Sequence, residues 1–467
     1  MTIFKTAKMK ALIFGLAAAL VLSVFPASAS ATSTACSEAA WDSTAVYPGS
    51  HLVSYNGHAW KAKWWTQGEA PGSAGTWGAW EDMGACDSGT PPIEPPVEPP
   101  VDPPVVSGPG DRMYVAYAST WNTSIYDLTT SNIPDYITNL NLAFVRPDTT
   151  YVKGSYAFDQ EVAGFEFFEG AATPNGQRKF TPQQSQDLRS SIAALKARGT
   201  KVFLSVGGWS YSQGSQWSGF NAKNIVDLAQ DLGAAGVDID WESSGSNCNK
   251  QTEGQFGCTK DGEIAGIITS LHHEIQARNA DLQISIAGWS TGAYYVKGTP
   301  FEEGKVQWGS PFGGTMYRVV KDHGNKIDFI NLMSYDGGEY YDPREGYESY
   351  RAIYGGPINM GMQIAPEGSG SAVLKLKAEP GTVYDAEMLT GQNNMATKYY
   401  NVETLVNYIK NKGRVNDGFM LWQLWKQRVH QPAPAGAATE NSAGQYVCSN
   451  LPLKGNCSQT IPALPKL

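Results

Sequence analysis

The chain has 467 residues, more than one ordinary domain holds, so we expect two or more domains. Its formal net charge is −9, which excludes the strongly basic surface that neutralises nucleic-acid phosphates, and we expect no nucleic-acid partner. The chain contains 14 Trp and 23 Tyr, a composition that suits a carbohydrate binder but also a large core.

The first 31 residues predict a signal peptide. Lys5, Lys8 and Lys10 precede an apolar run at 11–25, and small residues follow at 27–31. The apolar run is about 15 residues long, shorter than the roughly 20 that a membrane-spanning helix needs. We therefore expect a secreted, extracellular protein that does not contact a membrane.

A proline-rich linker at 88–110 separates a small module at 32–87 from a large one at 111–467. The linker contains TPPIEPPVEPPVDPPVV, whose proline pairs favour extended polyproline II structure. A module as short as the first buries little core and needs a covalent staple, which a Cys36–Cys86 disulfide would provide.

The six cysteines fall into three pairs that are close in sequence, and export would allow them to form disulfides. We infer this pairing from proximity alone. No CxxC motif or histidine cluster accompanies the cysteines, so we expect no zinc site. The expected disulfides are Cys36–Cys86, Cys248–Cys258 and Cys448–Cys457.

The large module alternates strand-like with helix-like segments, which predicts an α/β fold with a parallel sheet. Eight strands are the number of a TIM (β/α)8 barrel, and a doubly wound sheet is the alternative. No GxGxxG follows the first strand, which favours the barrel. The expected strands are Met113–Ser119, Ile137–Val145, Val202–Trp209, Gly236–Glu242, Leu282–Trp289, Ile327–Asp336, Ile358–Ala365 and Phe419–Trp425. The expected helices include Pro182–Arg198, Lys223–Leu232, Asp261–Ala277 and Val402–Lys412.

The fourth strand contains three acidic residues on one face. Residues i, i+2 and i+4 of a strand point the same way, so Asp238, Asp240 and Glu242 should all point into the barrel. Glu242 ends this strand at the C-terminal mouth, where barrel enzymes place their chemistry. Neighbouring carboxyls cannot all ionise, so at least one keeps its proton and can act as a general acid.

With its neighbours, this strand resembles the DGxDxDxE signature of family 18 glycoside hydrolases. SVGG at 205–208 is similar to the family's SxGG, and MSYD at 333–336 is similar to its MxYD. Trp422 matches the Trp that ends the eighth strand in the family. The chain departs from the signature at Ala235, where the family usually has Asp.

The resemblance implies a retaining chitinase with substrate-assisted chemistry, which requires no metal and no cofactor. It implies that Glu242 protonates the glycosidic oxygen while the 2-acetamido carbonyl of the sugar attacks C1. Asp240 would orient the acetamido group, and Asp238 would hold the proton balance of Asp240. Tyr335 would donate to the acetamido carbonyl, and Asp336 would position the distorted sugar.

Further residues are candidates for the substrate cleft. The resemblance implies that Trp422 forms the floor of the cleft. Tyr117 and Ser205 support Asp238 from beneath or simply pack in the core, and Met333 either contacts substrate or fills the barrel. The remaining aromatic candidates are Trp121, Phe144 and Trp209.

The small module contains AKWWT at 62–66, which resembles the core of chitin-binding modules of families 5 and 12, with a small all-β fold. A hairpin turn is expected at Asn56–Gly57. The resemblance implies that exposed rings of Trp64 and Trp65, with Tyr47 as a third, lie on the polysaccharide.

We therefore expect a monomeric enzyme whose partners are chitin and chito-oligosaccharides. Two alternatives remain open. One is an endo-β-N-acetylglucosaminidase that acts on other N-acetylated glycans. The other is a non-catalytic chitin lectin, against which the presence of Glu242 weighs.

Overall fold

The structure is a computed structural model, in which the chain divides into two compact units, Met1–Pro99 and Pro100–Leu467. It describes residues 38–85 and 112–462 except 44, 65, 74–77, 122, 159–164, 166–179, 214, 244–247, 253–254, 295–311, 338–340, 365–373, 378–399 and 426–436. The expected signal peptide, the linker, Trp65 and the Cys36–Cys86 pair lie outside the described residues. No helix in the described part of the chain is long and apolar enough to cross a membrane.

The small unit is built from short antiparallel strands, as expected. Leu52–Tyr55, His58–Ala62 and Trp80–Ala85 form a three-stranded sheet. Val46–Tyr47 pairs separately with Thr66–Gln67. The turn between the first two strands of the sheet has positive φ at its two central residues, 51° and 74°, and such turns favour the Asn-Gly sequence found there.

The prediction that Tyr47 is an exposed binding residue is wrong. Its side chain is 5% exposed, and its ring centroid lies 5.3 Å from that of Trp80 in the core of the small unit. The N–H of Asp42 donates to the Tyr47 hydroxyl at 2.6 Å, so the polar end of the ring is also occupied. Trp64, by contrast, is 52% exposed and remains available for binding.

The large unit is a closed barrel of eight parallel strands, which confirms the TIM-barrel prediction. Each strand pairs with its neighbours in chain order, and the last pairs with the first. The strands are β1 Tyr114–Ser119, β2 Asn139–Val145, β3 Lys201–Gly207, β4 Gly236–Asp240, β5 Gln283–Trp289, β6 Phe329–Met333, β7 Ile358–Gln363 and β8 Gly418–Trp422.

Helices connect the strands and cover the barrel. The α-helices of the described residues are α1 Pro182–Arg198, α2 Ala222–Leu232, α3 Asp261–Ala277, α4 Tyr317–His323, α5 Pro343–Arg351, α6 Val402–Lys412 and α7 Glu440–Asn450. Their ends follow local sequence signals. In α1, Thr181 and Gln184 form a capping box, Pro182 occupies the first turn, and Gly199 ends the helix at a φ of 99°.

The alternation expected for β4 is present. Val237 and Ile239 are 0% and 1% exposed and belong to the apolar core around the barrel. Trp241, just beyond the strand, donates from Nε1 to Glu263 Oε1 on α3 at 3.1 Å. Its side chain therefore anchors the end of β4 to the helix layer.

Five strands, β3, β4, β6, β7 and β8, end earlier than expected, and the ends of β4 and β6 bear on the predicted site. β4 stops at Asp240, so Glu242 lies two residues beyond the strand. β6 stops at Met333, because the N–H groups of Ser334 and Tyr335 bond to carbonyls two residues earlier and turn the chain away from the ladder. Residues 334–336 of the MSYD segment therefore form a turn at the mouth of the barrel.

Ala235 lies at the opposite end of β4 from the acidic residues. Its N–H bonds to the Val202 carbonyl at 2.7 Å, and its own carbonyl accepts from Gln283, so the ladder continues through it. A Cβ on the adjacent Gly236 would lie 2.2 Å from the Phe203 ring, so an aromatic side chain fills this end of the barrel. Ala235, where the chain departs from the family signature, therefore lies at the end of the barrel opposite the mouth.

Two of the three expected disulfides are present in the described residues. Cys248–Cys258, with an S–S distance of 2.04 Å, brackets a short hairpin between β4 and α3. Cys448–Cys457 joins α7 to the segment that follows it.

Candidate active site

A cavity of about 410 Å³ lies at the C-terminal mouth of the barrel. Most of the expected site residues line it, namely Tyr117, Trp209, Asp240, Glu242, Met333, Tyr335, Asp336 and Trp422. The lining residues that sequence reasoning missed are Ala287, Trp289, Phe312, Gln363 and Met420. Four of the missed residues lie on β5, β7 and β8, so position near a strand's C-terminal end was the available signal.

Asp238 is fully buried beneath this cavity and accepts four hydrogen bonds from four different strands. The hydroxyls of Tyr117 and Ser205 each donate to Oδ2 at 2.8 Å. The hydroxyl of Ser285 donates to Oδ1 at 2.6 Å, and the amide of Asn331 donates to the same atom at 3.2 Å. Each oxygen thus has two donors, an arrangement that favours the ionised carboxylate.

Ser205 supports Asp238 from beneath, which is one of the two roles expected for it. It is 0% exposed and does not line the cavity, so as a substrate contact it is corrected. Ser285 and Asn331 were not anticipated. Ser285 pairs in register with Asp238 in the adjacent strand, but that register became visible only in the folded barrel.

Asp240 is the link between Asp238 and the cavity. Its side chain is 3% exposed, and burial raises its pKa well above the usual range, with further contributions from the charges of Glu242 and Asp238. A hydrogen bond joins Asp240 to Glu242. Burial also raises the pKa of Asp238, but its four hydrogen-bond donors oppose this. We call the three acids Asp238, Asp240 and Glu242 the acidic ladder. A proton bound to this ladder is therefore held preferentially between Asp240 and Glu242 rather than on Asp238.

Glu242 lines the cavity and is 9% exposed. The chain just before it is fixed on two sides. Trp241 is anchored to α3 through its indole, and its carbonyl accepts from Trp289 Nε1 at 3.2 Å. A carboxyl held in place at the edge of a largely buried ladder is suited to deliver a proton into the cavity.

Tyr335 and Asp336 line the cavity from the turn after β6. The Tyr335 hydroxyl lies 3.9 Å from the sulfur of Met420, and Gln363 Nε2 donates to Asp336 Oδ2 at 3.4 Å. Asp336 has a φ of 51°, a left-handed conformation that is uncommon outside glycine.

Aromatic rings form the floor of the cavity and the layer behind it. The Trp422 ring lines the cavity and stacks on Phe144 with centroids 5.7 Å apart. Trp121 stacks on Phe144 at the same distance, and its centroid lies 6.4 Å from that of Trp422. Phe144 and Trp121 do not line the cavity, so they support Trp422 from behind. Trp209, at 61% exposed, offers its ring at the rim.

No group of three or more His, Cys, Asp or Glu residues that could hold a metal occurs among the described residues. What the site does contain is a buried acidic ladder, a terminal carboxyl on the cavity, and a facing tyrosine. Such an arrangement can protonate a leaving group and stabilise positive charge that develops beside it.

The model of the family described as glycosyl hydrolases family 18 matches residues 113–427, two thirds of the chain. The chain belongs to glycosyl hydrolase family 18. Residues 40–81 match the carbohydrate-binding module family 5/12, so the small unit is a module of that family. The family prediction is thereby confirmed for both units.

Individual relatives match over limited lengths. Chitinase 1 of Aphanocladium album is 27% identical over 171 residues, 35% of this chain and 34% of that protein. Chitinase A of Pseudoalteromonas piscicida is 51% identical over 39 residues, 8% of this chain and 5% of that protein. The chain thus spans about a third or less of the length of these relatives.

Among solved structures, a family 18 chitinase from Chromobacterium violaceum is 14% identical with a TM-score of 0.43, and the match covers 88% of this chain and 99% of that one. A putative chitinase A from Streptomyces coelicolor is also 14% identical with a TM-score of 0.43, and the match covers 73% and 98% of the two chains.

Proposed function

We propose that the chain is a secreted chitinase that hydrolyses β-1,4 linkages between N-acetylglucosamine units with retention of configuration. The observation that carries the proposal is Glu242 on the barrel-mouth cavity, hydrogen-bonded to the buried Asp240. Membership of family 18 supports a glycoside hydrolase, and the small module supports an insoluble polysaccharide substrate.

In the first step, Glu242 transfers its proton to the glycosidic oxygen as the C1–O bond breaks. The carbonyl oxygen of the 2-acetamido group bonds to C1 and forms an oxazolinium ion, so no second carboxylate is needed as a nucleophile. In the second step, the Glu242 carboxylate removes a proton from water as the water oxygen attacks C1. The bond between C1 and the acetamido oxygen breaks, so the acetamido group is regenerated and the released sugar has its original configuration.

Asp240 and Tyr335 act on the acetamido group. Asp240 lines the cavity beside Glu242, and its Oδ1 is buried without a hydrogen bond from the protein. This atom would accept from the acetamido N–H and offset the positive charge of the oxazolinium ion. The Tyr335 hydroxyl would donate to the acetamido oxygen and orient it towards C1.

The substrate proposal is tested with the full chain on colloidal chitin, an N-glycosylated protein and chitosan that lacks acetyl groups. We expect release of soluble chito-oligosaccharides from chitin alone, because the reaction needs the acetamido carbonyl. Release of glycans from the glycoprotein without action on chitin would show an endo-β-N-acetylglucosaminidase. Binding to chitin without release of sugar would show a lectin.

The small module should contribute binding rather than catalysis. Trp64 is 52% exposed and presents a flat ring, and Lys63 Nζ lies 5.1 Å from its centroid. We expect Trp64→Ala to reduce retention on insoluble chitin roughly tenfold or more, because a ring stacked on sugar contributes most of such a contact. The measurement is a chitin pull-down.

The control for Trp64→Ala is kcat on a soluble chito-oligosaccharide, which should remain that of the wild type. A second control is Met83→Ala, since Met83 is equally exposed at 53% but offers no ring. If this variant loses chitin binding to the same extent, the Trp64 ring is not the specific contact.

A further inference from the structure

Tyr335 and Asp336 lie in a turn rather than on a strand, so the barrel ladder does not hold them. β6 ends at Met333, and Asp336 has a φ of 51°. A non-glycine residue in the left-handed region persists only where surrounding contacts fix it. Gln363 holds the Asp336 carboxylate, but the backbone of the turn needs a support of its own.

Tyr341 contacts both ends of this turn. A Cβ placed on Gly337 would lie 2.4 Å from Cγ of Tyr341, so the ring fills the space that the glycine leaves. At the other end, the Ser334 side chain lies close to the Tyr341 hydroxyl, although no hydrogen bond of normal geometry joins them. The Ser334 hydroxyl also accepts from the N–H of Gly361 in β7 at 3.2 Å. The Tyr341 side chain therefore lies beside Ser334 and Gly337, the two residues that flank Tyr335 and Asp336 in the chain.

The segment that carries Tyr341 is itself rigid. The side chain is 3% exposed, and a Cβ on Gly346 of α5 would lie 2.2 Å from its hydroxyl. The next residue, Asp342, caps α5 and pairs with Arg344 at 2.7 Å, with both side chains at most 1% exposed. Breaking a buried ion pair is costly, so Tyr341 has a fixed base.

We propose that Tyr341 is a positioning residue that holds Tyr335 and Asp336 in the conformation that aims both side chains into the cavity. Tyr341 does not line the cavity and would not touch substrate. It acts through the geometry of the turn, so its loss should lower kcat more than it changes KM. The inference rests on the proposed function only for this kinetic readout.

The test compares Tyr341→Ala and Tyr341→Phe on a soluble chito-oligosaccharide, at a temperature where both variants are folded. We expect Tyr341→Ala to lower kcat about a hundredfold, the effect of misplacing reacting groups by about 1 Å, with KM changed less than about threefold. Tyr341→Phe keeps the ring against Gly337 and should restore kcat to within about threefold of the wild type.

The matched control is Tyr354→Ala. Tyr354 is 4% exposed and donates to the Ile327 carbonyl at 2.8 Å. Ile327 lies two residues before β6, at the opposite end of that strand from the turn. Its loss should lower the melting temperature and leave kcat unchanged. If Tyr341→Ala retains wild-type kcat, or if Tyr354→Ala loses kcat equally, the proposal is overturned.

A crystal structure of Tyr341→Ala separates this inference from the proposed function. We expect the Asp336 φ to leave the left-handed region when the ring is removed. A φ that remains near 51° in the variant would overturn the positioning role. If the wild type hydrolyses no chito-oligosaccharide, the proposed function fails, and the structure of the variant still decides whether Tyr341 holds the turn.

Discussion

Replacing Glu242 by Gln should lower kcat on chito-oligosaccharides about a thousandfold or more. Gln has the shape of Glu but has no acidic proton, and a general acid contributes roughly 10²–10⁴ to the rate. Glu242 lines the cavity and is hydrogen-bonded to Asp240, and an amide can keep that hydrogen bond. The measurement is steady-state release of reducing ends by the purified variant.

Binding should survive the Glu242→Gln substitution, because the aromatic floor around Trp422 is unchanged. Affinity for a chito-oligosaccharide, measured by calorimetry, should stay within about tenfold of the wild type. The reason is that Glu242 transfers its proton only in the transition state, so its loss has little effect on binding of the ground-state substrate. The control is Glu274→Gln on α3, which removes a carboxylate that pairs with Arg278 on the outside of the barrel. Retention of kcat by Glu242→Gln within tenfold would contradict the assignment of the acid.

The placement of the acidic ladder could be predicted from sequence because it depends on one local rule. Alternation along a strand puts Asp238 and Asp240 on one face whatever the rest of the chain does. The number of predicted strands then indicated a barrel, and in a barrel enzyme the active site lies at the C-terminal ends of the strands. Alternation within one strand can be read without knowing which strands lie beside it.

Two of the four hydrogen-bond donors of Asp238 could not be found in the same way. Ser285 and Asn331 lie on β5 and β6, and their contact with Asp238 depends on the stagger between strands around the closed barrel. Gln363 and Tyr341 were missed for a similar reason, because their role depends on a turn after β6 that sequence reasoning assigned to the strand.

Tyr47 shows the limit of face prediction in short strands. Val46–Tyr47 is only two residues long, too short for alternation to distinguish an inward from an outward position. The ring is buried by contact with Trp80 from a distant strand. The resemblance of AKWWT to chitin-binding modules therefore predicted the module family correctly, but Tyr47 was wrongly assigned as a binding ring.

Asp240→Asn should lower kcat about a hundredfold and also change how stability depends on pH. The loss of kcat follows because an amide cannot offset the charge of the oxazolinium ion as a carboxylate can. The change in stability follows from burial. Asp240 is 3% exposed, and its pKa is raised well above the usual value of 3.8 by burial, Glu242 and Asp238.

The sign of the stability effect follows from proton binding. An acid with a raised pKa holds more protons when folded than when unfolded, so the free energy of unfolding falls as pH rises above about 3.8 and through the raised pKa. Asn does not titrate, so this contribution disappears in the variant. The melting temperature of Asp240→Asn should therefore fall less steeply with increasing pH, and the variant should gain stability relative to the wild type as pH rises.

The measurement is the melting temperature of both proteins across pH 4 to 9, with Asp322→Asn as the control. Asp322 pairs with Arg318 on the exposed face of α4, with its side chain 44% exposed, so its loss should leave the wild-type slope unchanged. Asp328 also has a raised pKa, but it is common to all three proteins and cancels in the comparison. Asp238 and Glu242 interact electrostatically with Asp240, so the change in slope reports the three acids as a unit. Identical slopes for the wild type and Asp240→Asn would mean that the pKa of Asp240 is the same in the folded and the unfolded protein. The acidic ladder would then not hold a proton beside Glu242. A shallower slope together with lost activity would instead show that the buried carboxyl reduces stability while it supports catalysis, as expected where a site is organised for a transition state rather than for folding.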